Sequence, residues 1–130
     1  MRLPALSIAG IRLGVAQAGI KYAGRDDLTL IEIAQGSTTA AVFTQNAFRA
    51  APVIVAERNN AAHDARYLLI NSGNANAGTG QPGMIACEQS CDDVARLTES
   101  DASRVLPFST GGHNGSRCAL PIPLVQIGNG

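Results

Sequence analysis

The residues best suited to chemistry in this chain are Ser109-Thr110-Gly111, hydroxyls set beside a glycine. A Thr hydroxyl and a Gly amide can both donate to an oxygen that becomes negative during acyl transfer. Such donors act where charge develops in the transition state, and losing one typically costs about 10²–10³ in rate. The same tripeptide also reads as a strand-end turn, and taken alone it fits that reading more simply.

A second constellation is the loop Asn71-Ser72-Gly73-Asn74-Ala75-Asn76-Ala77-Gly78-Thr79-Gly80. Placed between a buried strand and a helix, its amides and Asn side chains could cradle a carbonyl, carboxylate or phosphate. It is not a P-loop, because Gly-Lys-Ser/Thr is absent, and it is not G-x-G-x-x-G. The competing reading is a tight turn built from residues that tolerate left-handed backbone.

No nucleophile–base pair stands out. His63 sits in a polar stretch and reads as a surface residue; His113 follows a glycine pair. Ser72, Ser109 and the cysteines could attack a carbonyl in principle, but no neighbour in the sequence activates them. Asp26 and Asp27 are adjacent, so on a strand they point apart, and a turn suits them better than paired carboxylate chemistry. Cys87, Cys91 and Cys118 do not form a disulfide framework. Cys87 and Cys91 share one helical face, but a metal would need two more ligands, and the histidines have no matching spacing. Buried or incidental thiols are the expectation, with neither a metal nor a cofactor.

The elements that must hold these residues follow from pattern and punctuation. Residues 10–19 read as a strand or turn-rich stretch, and Asp26-Asp27 as a turn. Residues 28–34 read as a strand with one well-buried face. Ala40–Thr44 is a second strand candidate, and Pro52–Ala56 a third, opened by Pro at a tolerated first position. Asn59–Asp64 reads as one helical turn or a loop. Tyr67–Asn71 is the strongest strand. After Pro82-Gly83 an imperfect apolar stripe predicts a helix over about Met84–Leu97, with Glu88, Asp92, Asp93 and Arg96 toward water. Val105–Phe108 leads into the second glycine loop, and the tail from Pro121 reads as cut off rather than finished. Strands followed by a helix and another strand indicate an α/β protein.

Composition narrows the function classes. A chain of 130 residues fits one domain or a piece of one, and 45% apolar residues suit a globular protein. With no Trp, two Tyr and three Phe, a core must come mainly from Val, Ile, Leu and Ala. Fourteen Gly and six Pro indicate many tight turns. Ten basic and ten acidic residues cancel and no basic run occurs, which argues against nucleic-acid binding. No apolar stretch approaches the ~20 residues needed to span a bilayer, so no membrane association is expected. No secretory signal is visible, and the expectation is a cytoplasmic protein.

Several segments, taken in order, narrow the reading further. Ala18-Gly19-Ile20-Lys21, Asp27-Leu28, Ala41-Val42-Phe43-Thr44-Gln45-Asn46, Ala50-Ala51-Pro52-Val53, Asn71-Ser72-Gly73-Asn74-Ala75-Asn76 and Ser109-Thr110-Gly111 succeed one another. In this order and spacing the chain, from about Gly10 to Gly111, resembles the bifunctional glutamate/ornithine N-acetyltransferase family of arginine biosynthesis. The resemblance implies a layered α/β sandwich like that of self-cleaving N-terminal-nucleophile proteins, with residues 1–130 as the N-terminal portion of one partial domain. It implies acetyl transfer from N-acetylornithine to glutamate, with acetyl-CoA as a further possible acetyl donor. It also implies a precursor that cuts itself before a Thr, whose newly freed amine can serve as base to its own hydroxyl. The oxyanion hole of such enzymes falls on Thr110 and Gly111. The second chain of the cleaved precursor is the implied partner, in a heterotetramer.

Three departures accompany the resemblance. No Thr follows Thr110, and the Lys-Gly-Thr cleavage segment is absent; this chain alone is therefore expected not to turn over. Gly78 stands where the family usually has Cys. Gly112–Cys118 replaces the usual Val-Ile-Gly continuation, as a short local frameshift would. An N-terminal-nucleophile aminopeptidase, and an inactive gene remnant or non-catalytic binding domain, are the competing readings.

Overall fold

A computed structural model of the protein describes residues 8–111. His113, Cys118, the segment 112–119 and the tail from Pro121 lie outside the described residues. Within them the chain order is β1 (Ile11–Ala16), β2 (Leu28–Ile33), α1 (Ala51–Ala62), β3 (Tyr67–Ser72), α2 (Gly80–Thr98) and β4 (Val105–Thr110). A single turn of 3₁₀-helix, Ala102–Arg104, leads into β4.

The strands form one sheet in the order β1-β2-β3-β4. β1 pairs antiparallel with β2, and β2 also pairs antiparallel with β3. Between β3 and β4 lies α2, and a helical crossover of this length permits the parallel pairing that is found. Side chains alternate between faces along each strand. Through the registers Gly14↔Leu30, Leu30↔Leu69 and Leu69↔Pro107, one face carries Leu28, Leu30, Tyr67, Leu69 and Val105. That face packs with Ala51 and Val55 of α1 and Cys87, Cys91 and Val94 of α2 into the main core. The other face carries Leu13, Val15, Ile31, Ile70, Phe108 and Thr110, of which Leu13, Val15, Phe108 and Thr110 are exposed. A smaller cluster at its lower end joins Leu106 to Ala56 and Ala65, with Ile33, Phe43 and Leu68 beside it.

The expected α/β class is what the structure shows, and β2, β3 and β4 fall where their apolar runs placed them. The segment Pro52–Ala56 is different: it is the first half of a helix, not a strand. Pro52 sits in the first turn, where the missing N–H is not needed. The β-branched run Val53-Ile54-Val55 has local strand preference, yet Val55 is completely buried between the sheet and α2. Tertiary packing outweighs a propensity difference of a few tenths of a kcal/mol per residue. Asn59 then anchors the helix: its Nδ2 donates to the carbonyls of Ala102 (3.2 Å) and Val105 (2.9 Å). Ala40–Thr44 is no strand and joins no ladder; Val42 is exposed and only Phe43 packs inward.

Helix α2 starts four residues before the expected Met84. Of the expected stripe Ile85, Cys87 or Glu88, Val94 and Leu97, the structure buries Cys87 and Val94 but not Ile85 and Leu97. Those two are exposed, whereas Gly83, Ala86, Cys87, Cys91, Val94 and Ala95 are buried. Small residues there let the helix axis approach the sheet closely. Asp93, expected at the surface, is buried, with its Oδ1 accepting from Arg96 and Gln89 at 3.1 Å each. The helix ends on Glu99 in the left-handed conformation, φ 54°, its amide returning to the Ala95 carbonyl.

Candidate functional site

Parallel pairing of β3 and β4 brings their C-terminal ends side by side, with Asn71 opposite Ser109 and Ser72 opposite Thr110. Both glycine loops singled out in the sequence therefore meet at one edge of the sheet. Alternation from Leu106 and Phe108 places Thr110 on the face opposite the main core. There it stands next to Ser72, and it is exposed.

Gly111 turns away from the strand with φ +127°, a region closed to ordinary side chains. A Cβ at this position would lie 2.7 Å from the Gly73 nitrogen and 2.9 Å from the Asn74 nitrogen. The backbone of the first loop thus touches the backbone of the second, and glycine is the residue that permits it. Gly73, at φ +100°, is backed in turn by the segment before β2. A Cβ on Gly73 would lie 3.0 Å from Lys21 Cβ and 3.6 Å from Ile20 Cγ2.

The Asn side chains of the first loop serve the loop itself. Ser109 Oγ donates to Asn71 Oδ1 at 2.5 Å, and Asn71 Nδ2 donates to the Asn74 carbonyl at 2.9 Å. The Asn76 amide donates to Asn74 Oδ1 at 3.0 Å. Asn76, nearly fully buried at φ 51°, sends its Nδ2 to the Gly83 carbonyl at 2.9 Å and accepts from the Thr79 hydroxyl at 2.5 Å. Of the two sequence readings, the tight turn therefore describes Asn71 and Asn76, whose polar ends are engaged within the fold. Loop, α2 and the Ser109 hydroxyl form one hydrogen-bonded unit that fixes the end of β4.

The remaining sequence candidates lie elsewhere. His63 is exposed, with Nδ1 2.8 Å from Ser103 Oγ, at the start of β3 and β4 rather than at their ends. Cys91 is buried, and burial first, then the charge of neighbouring Asp92, pushes its thiol from about 9 up to about 12. A thiol so placed is neutral at physiological pH and no nucleophile. Asp101, also at the strand starts, is held below the usual carboxylate range by the Ser103 amide and hydroxyl. A polar pocket of about 350 Å³, lined by Gln35, Gly36, Ser37, Asp64, Arg66 and Arg104, opens at that same end. It lies a strand's length from Thr110, about 17–20 Å. Among the described residues no group of three or more His, Cys, Asp or Glu could hold a metal ion. No helix there is long and apolar enough to cross a membrane.

One participant's role was not legible in the sequence, although Asp27-Leu28 is among the family-like segments. Asp27, expected only to shape a turn, is a buried carboxylate whose two oxygens accept the amides of Ala18 and Ile20. Its neighbours in space lie seven and nine residues away, beyond the reach of any local turn pattern.

What the arrangement offers chemically is a Thr hydroxyl beside a glycine amide, on a backbone fixed from behind by a second glycine loop. Comparison with known proteins is consistent with that frame. Arginine biosynthesis bifunctional protein ArgJ of Methylococcus capsulatus (strain Bath) is 62% identical over 104 residues, covering 80% of this chain and 25% of that protein. The ArgJ protein of Pseudomonas syringae pv. tomato is 54% identical over 110 residues, covering 84% of this chain and 27% of its own. The chain thus spans about a quarter of the length of these curated relatives. Among solved structures, ArgJ of Bacillus halodurans superposes with a TM-score of 0.76 at 29% identity, over 82% of this chain and 56% of that one. Ornithine acetyltransferase of Mycobacterium tuberculosis, solved in complex with ornithine, gives a TM-score of 0.76 at 35% identity, over 84% and 59%. With the ArgJ family model matching residues 12–117, a span that takes in both glycine loops and every strand but the first residue of β1, the chain belongs to the ArgJ family.

Proposed function

We propose that this chain is the N-terminal portion of a glutamate/ornithine N-acetyltransferase, and that Thr110 and Gly111 form its oxyanion hole. The observation that carries the reading is the contact of Gly111 with the Gly73–Asn74 backbone, which holds a hydroxyl and an amide side by side at the end of β4.

In this reading a Thr beyond the present chain attacks the acetyl carbonyl of N-acetylornithine. The tetrahedral intermediate places its negative oxygen against the Thr110 hydroxyl and the Gly111 amide. Collapse expels the ornithine amine, which takes up a proton, and leaves the acetyl group as an ester on Thr. The amine of glutamate then attacks that ester through a second tetrahedral intermediate in the same hole, giving N-acetylglutamate and regenerating the Thr hydroxyl. Acetyl-CoA is an alternative donor for the first half-reaction. Fixed donors help because they need no reorientation as charge develops.

The apolar face opposite the main core, with Leu13 at 71% and Val15 at 59% exposure, supports a protein partner on that side. We assign it to the second chain of a self-cleaved precursor, within a heterotetramer acting in the cytoplasm.

The test is acetyl transfer from labelled N-acetylornithine to glutamate by the full chain as it occurs in the cell, with Thr110→Ala and Thr110→Ser compared. Thr110→Ala should lower kcat by about 10²–10³, while Thr110→Ser, keeping the hydroxyl, should retain most of it. Equal losses in both, or none in either, would sink the assignment. Labelled acetyl-CoA in place of N-acetylornithine decides the second donor.

A further inference from the structure

We propose that Asp27 is a positioning residue for the Thr110–Gly111 donor pair, acting through the segment Ala18–Lys21 and Gly73. The proposal rests on the acetyl-transfer reading of that pair.

The path is continuous in the structure. Asp27 is 5% exposed, and its two carboxylate oxygens are used separately: Oδ1 accepts the Ala18 amide at 2.6 Å and Oδ2 the Ile20 amide at 2.7 Å. Two short charge-assisted bonds fix the segment between β1 and β2 as a ledge. The backbone of Asp27 holds both sides of that ledge. Its amide donates to the Ala16 carbonyl at 3.1 Å, and its carbonyl accepts the Ser72 amide at 2.9 Å. One residue thus ties the end of β1, the ledge and the end of β3 together.

Onto the ledge comes Gly73, the residue after Ser72, with Lys21 and Ile20 at its back, and onto Gly73 comes Gly111. Gly111 meets the Gly73–Asn74 backbone directly, and Gly73 is backed by Lys21 Cβ and Ile20 Cγ2 together with the Lys21 backbone nitrogen, so the three segments are stacked. A stack of this kind transmits displacement, because packed backbone yields far less than a flexible side chain. Lys21 and Ile20 can therefore move only by releasing Gly73, and Gly73 only by releasing Gly111. Donor placement within a few tenths of an ångström matters at a site of this kind, where a 1 Å misplacement costs about 10²-fold in rate.

Asp27 touches no reacting atom, so it sets kcat through geometry and leaves substrate affinity alone. Asp27→Asn is nearly isosteric but replaces one acceptor oxygen with an NH₂ that faces an amide N–H, so one of the two bonds is lost.

The experiment uses the full chain as it occurs in the cell. Steady-state kcat and KM, expressed per folded molecule, are measured for wild type, Asp27→Asn and Ile20→Ala, with N-acetylornithine and glutamate as substrates. Backbone ¹⁵N–¹H shifts of Gly73 and Gly111 are recorded in parallel. Asp27→Asn should lower kcat at least about tenfold with KM within about twofold, and should shift both glycine amides. Ile20→Ala removes a half-buried contact with Gly73 outside the core, and should lower kcat several-fold while the protein stays folded. A kcat within twofold of wild type in folded Asp27→Asn overturns the proposal. So does a loss that disappears once activity is corrected for the folded fraction. If Asp27→Asn fails to fold, Ile20→Ala decides by the same criterion. If wild type transfers no acetyl group, the acetyl-transfer reading fails instead. The glycine shifts then report on the mechanical link alone, and unmoved shifts in Ile20→Ala overturn that as well.

Discussion

Replacing Gly111 with Ala should separate the close backbone contact from every other feature of the site. The added Cβ would lie 2.7 Å from the Gly73 nitrogen, against an ordinary separation of about 3.5 Å. The shortfall is roughly 0.8 Å, and the atom in the way is backbone, which cannot rotate aside. Added to this is the cost of an L-residue at φ +127°, about 1–3 kcal/mol. Overpacking against a fixed neighbour adds about 1–3 kcal/mol. The expected destabilisation is therefore about 2–6 kcal/mol, relieved in part by the strand ends moving apart. Movement of 0.5–1 Å at the donor pair should lower kcat by about 10²-fold. The assays are urea denaturation of the full chain, for stability, and acetyl transfer to glutamate, for kcat. A variant within 1 kcal/mol of wild type and within threefold in kcat would refute the claim that glycine is needed there for the approach to Gly73.

Two further predictions concern the scaffold. Asn59→Ala removes the buried donor shared by the Ala102 and Val105 carbonyls and should cost about 2–4 kcal/mol, seen as a lower urea midpoint with an unchanged slope; a loss below 1 kcal/mol would mean that water replaces the amide. For Cys91, whose thiol is raised from about 9 to about 12, the unfolded chain ionises before the folded one. Above pH 9 the unfolded state then binds fewer protons, so stability falls as pH rises through that window, by up to about 1.4 kcal/mol per pH unit. In Cys91→Ala this component should vanish, and identical alkaline slopes for variant and wild type would contradict it.

How much of this was legible in the sequence depends on the range of the interaction involved. Tyr67–Asn71 and Leu28–Ala34 announce themselves because a short apolar run between turn residues has few other homes. Pro52–Ala56 misleads because its β-branched letters carry strand preference, while the forces that make it helical come from afar: Val55 against the sheet, and Asn59 reaching Val105. On α2 the stripe is half right: Cys87 and Val94 are buried, but the longer Ile85 and Leu97 are exposed while the small Gly83, Ala86 and Ala95 lie inside. At the site, Ser109-Thr110-Gly111 stands out in the sequence as a donor pair only through the family resemblance that proposes it, and what fixes it there is not legible. Gly73 lies 38 positions from Gly111 in the chain, and only the parallel pairing of β3 with β4 reveals the contact. Asp27 is hidden for the same reason.

The two glycine loops looked like rival sites in the sequence, and the fold makes them parts of one. A helical crossover between parallel strands carries the chain back to the end where the first strand began, so both strands finish at the same end. The loop after β3 and the loop after β4 are therefore neighbours by topology, whatever their letters. Given that, each loop's composition answers a different demand. In the first, Asn71 and Asn76 bind the loop to itself and to α2, which makes it rigid, and Gly73 lets its back approach Lys21 and Ile20. In the second, Gly111 lies against the Gly73–Asn74 backbone and Thr110 faces outward. Rigidity in the first loop becomes fixed donor geometry in the second. A substitution that loosened the Asn network, such as Asn76→Ala, would on this account impair the donor pair without touching it.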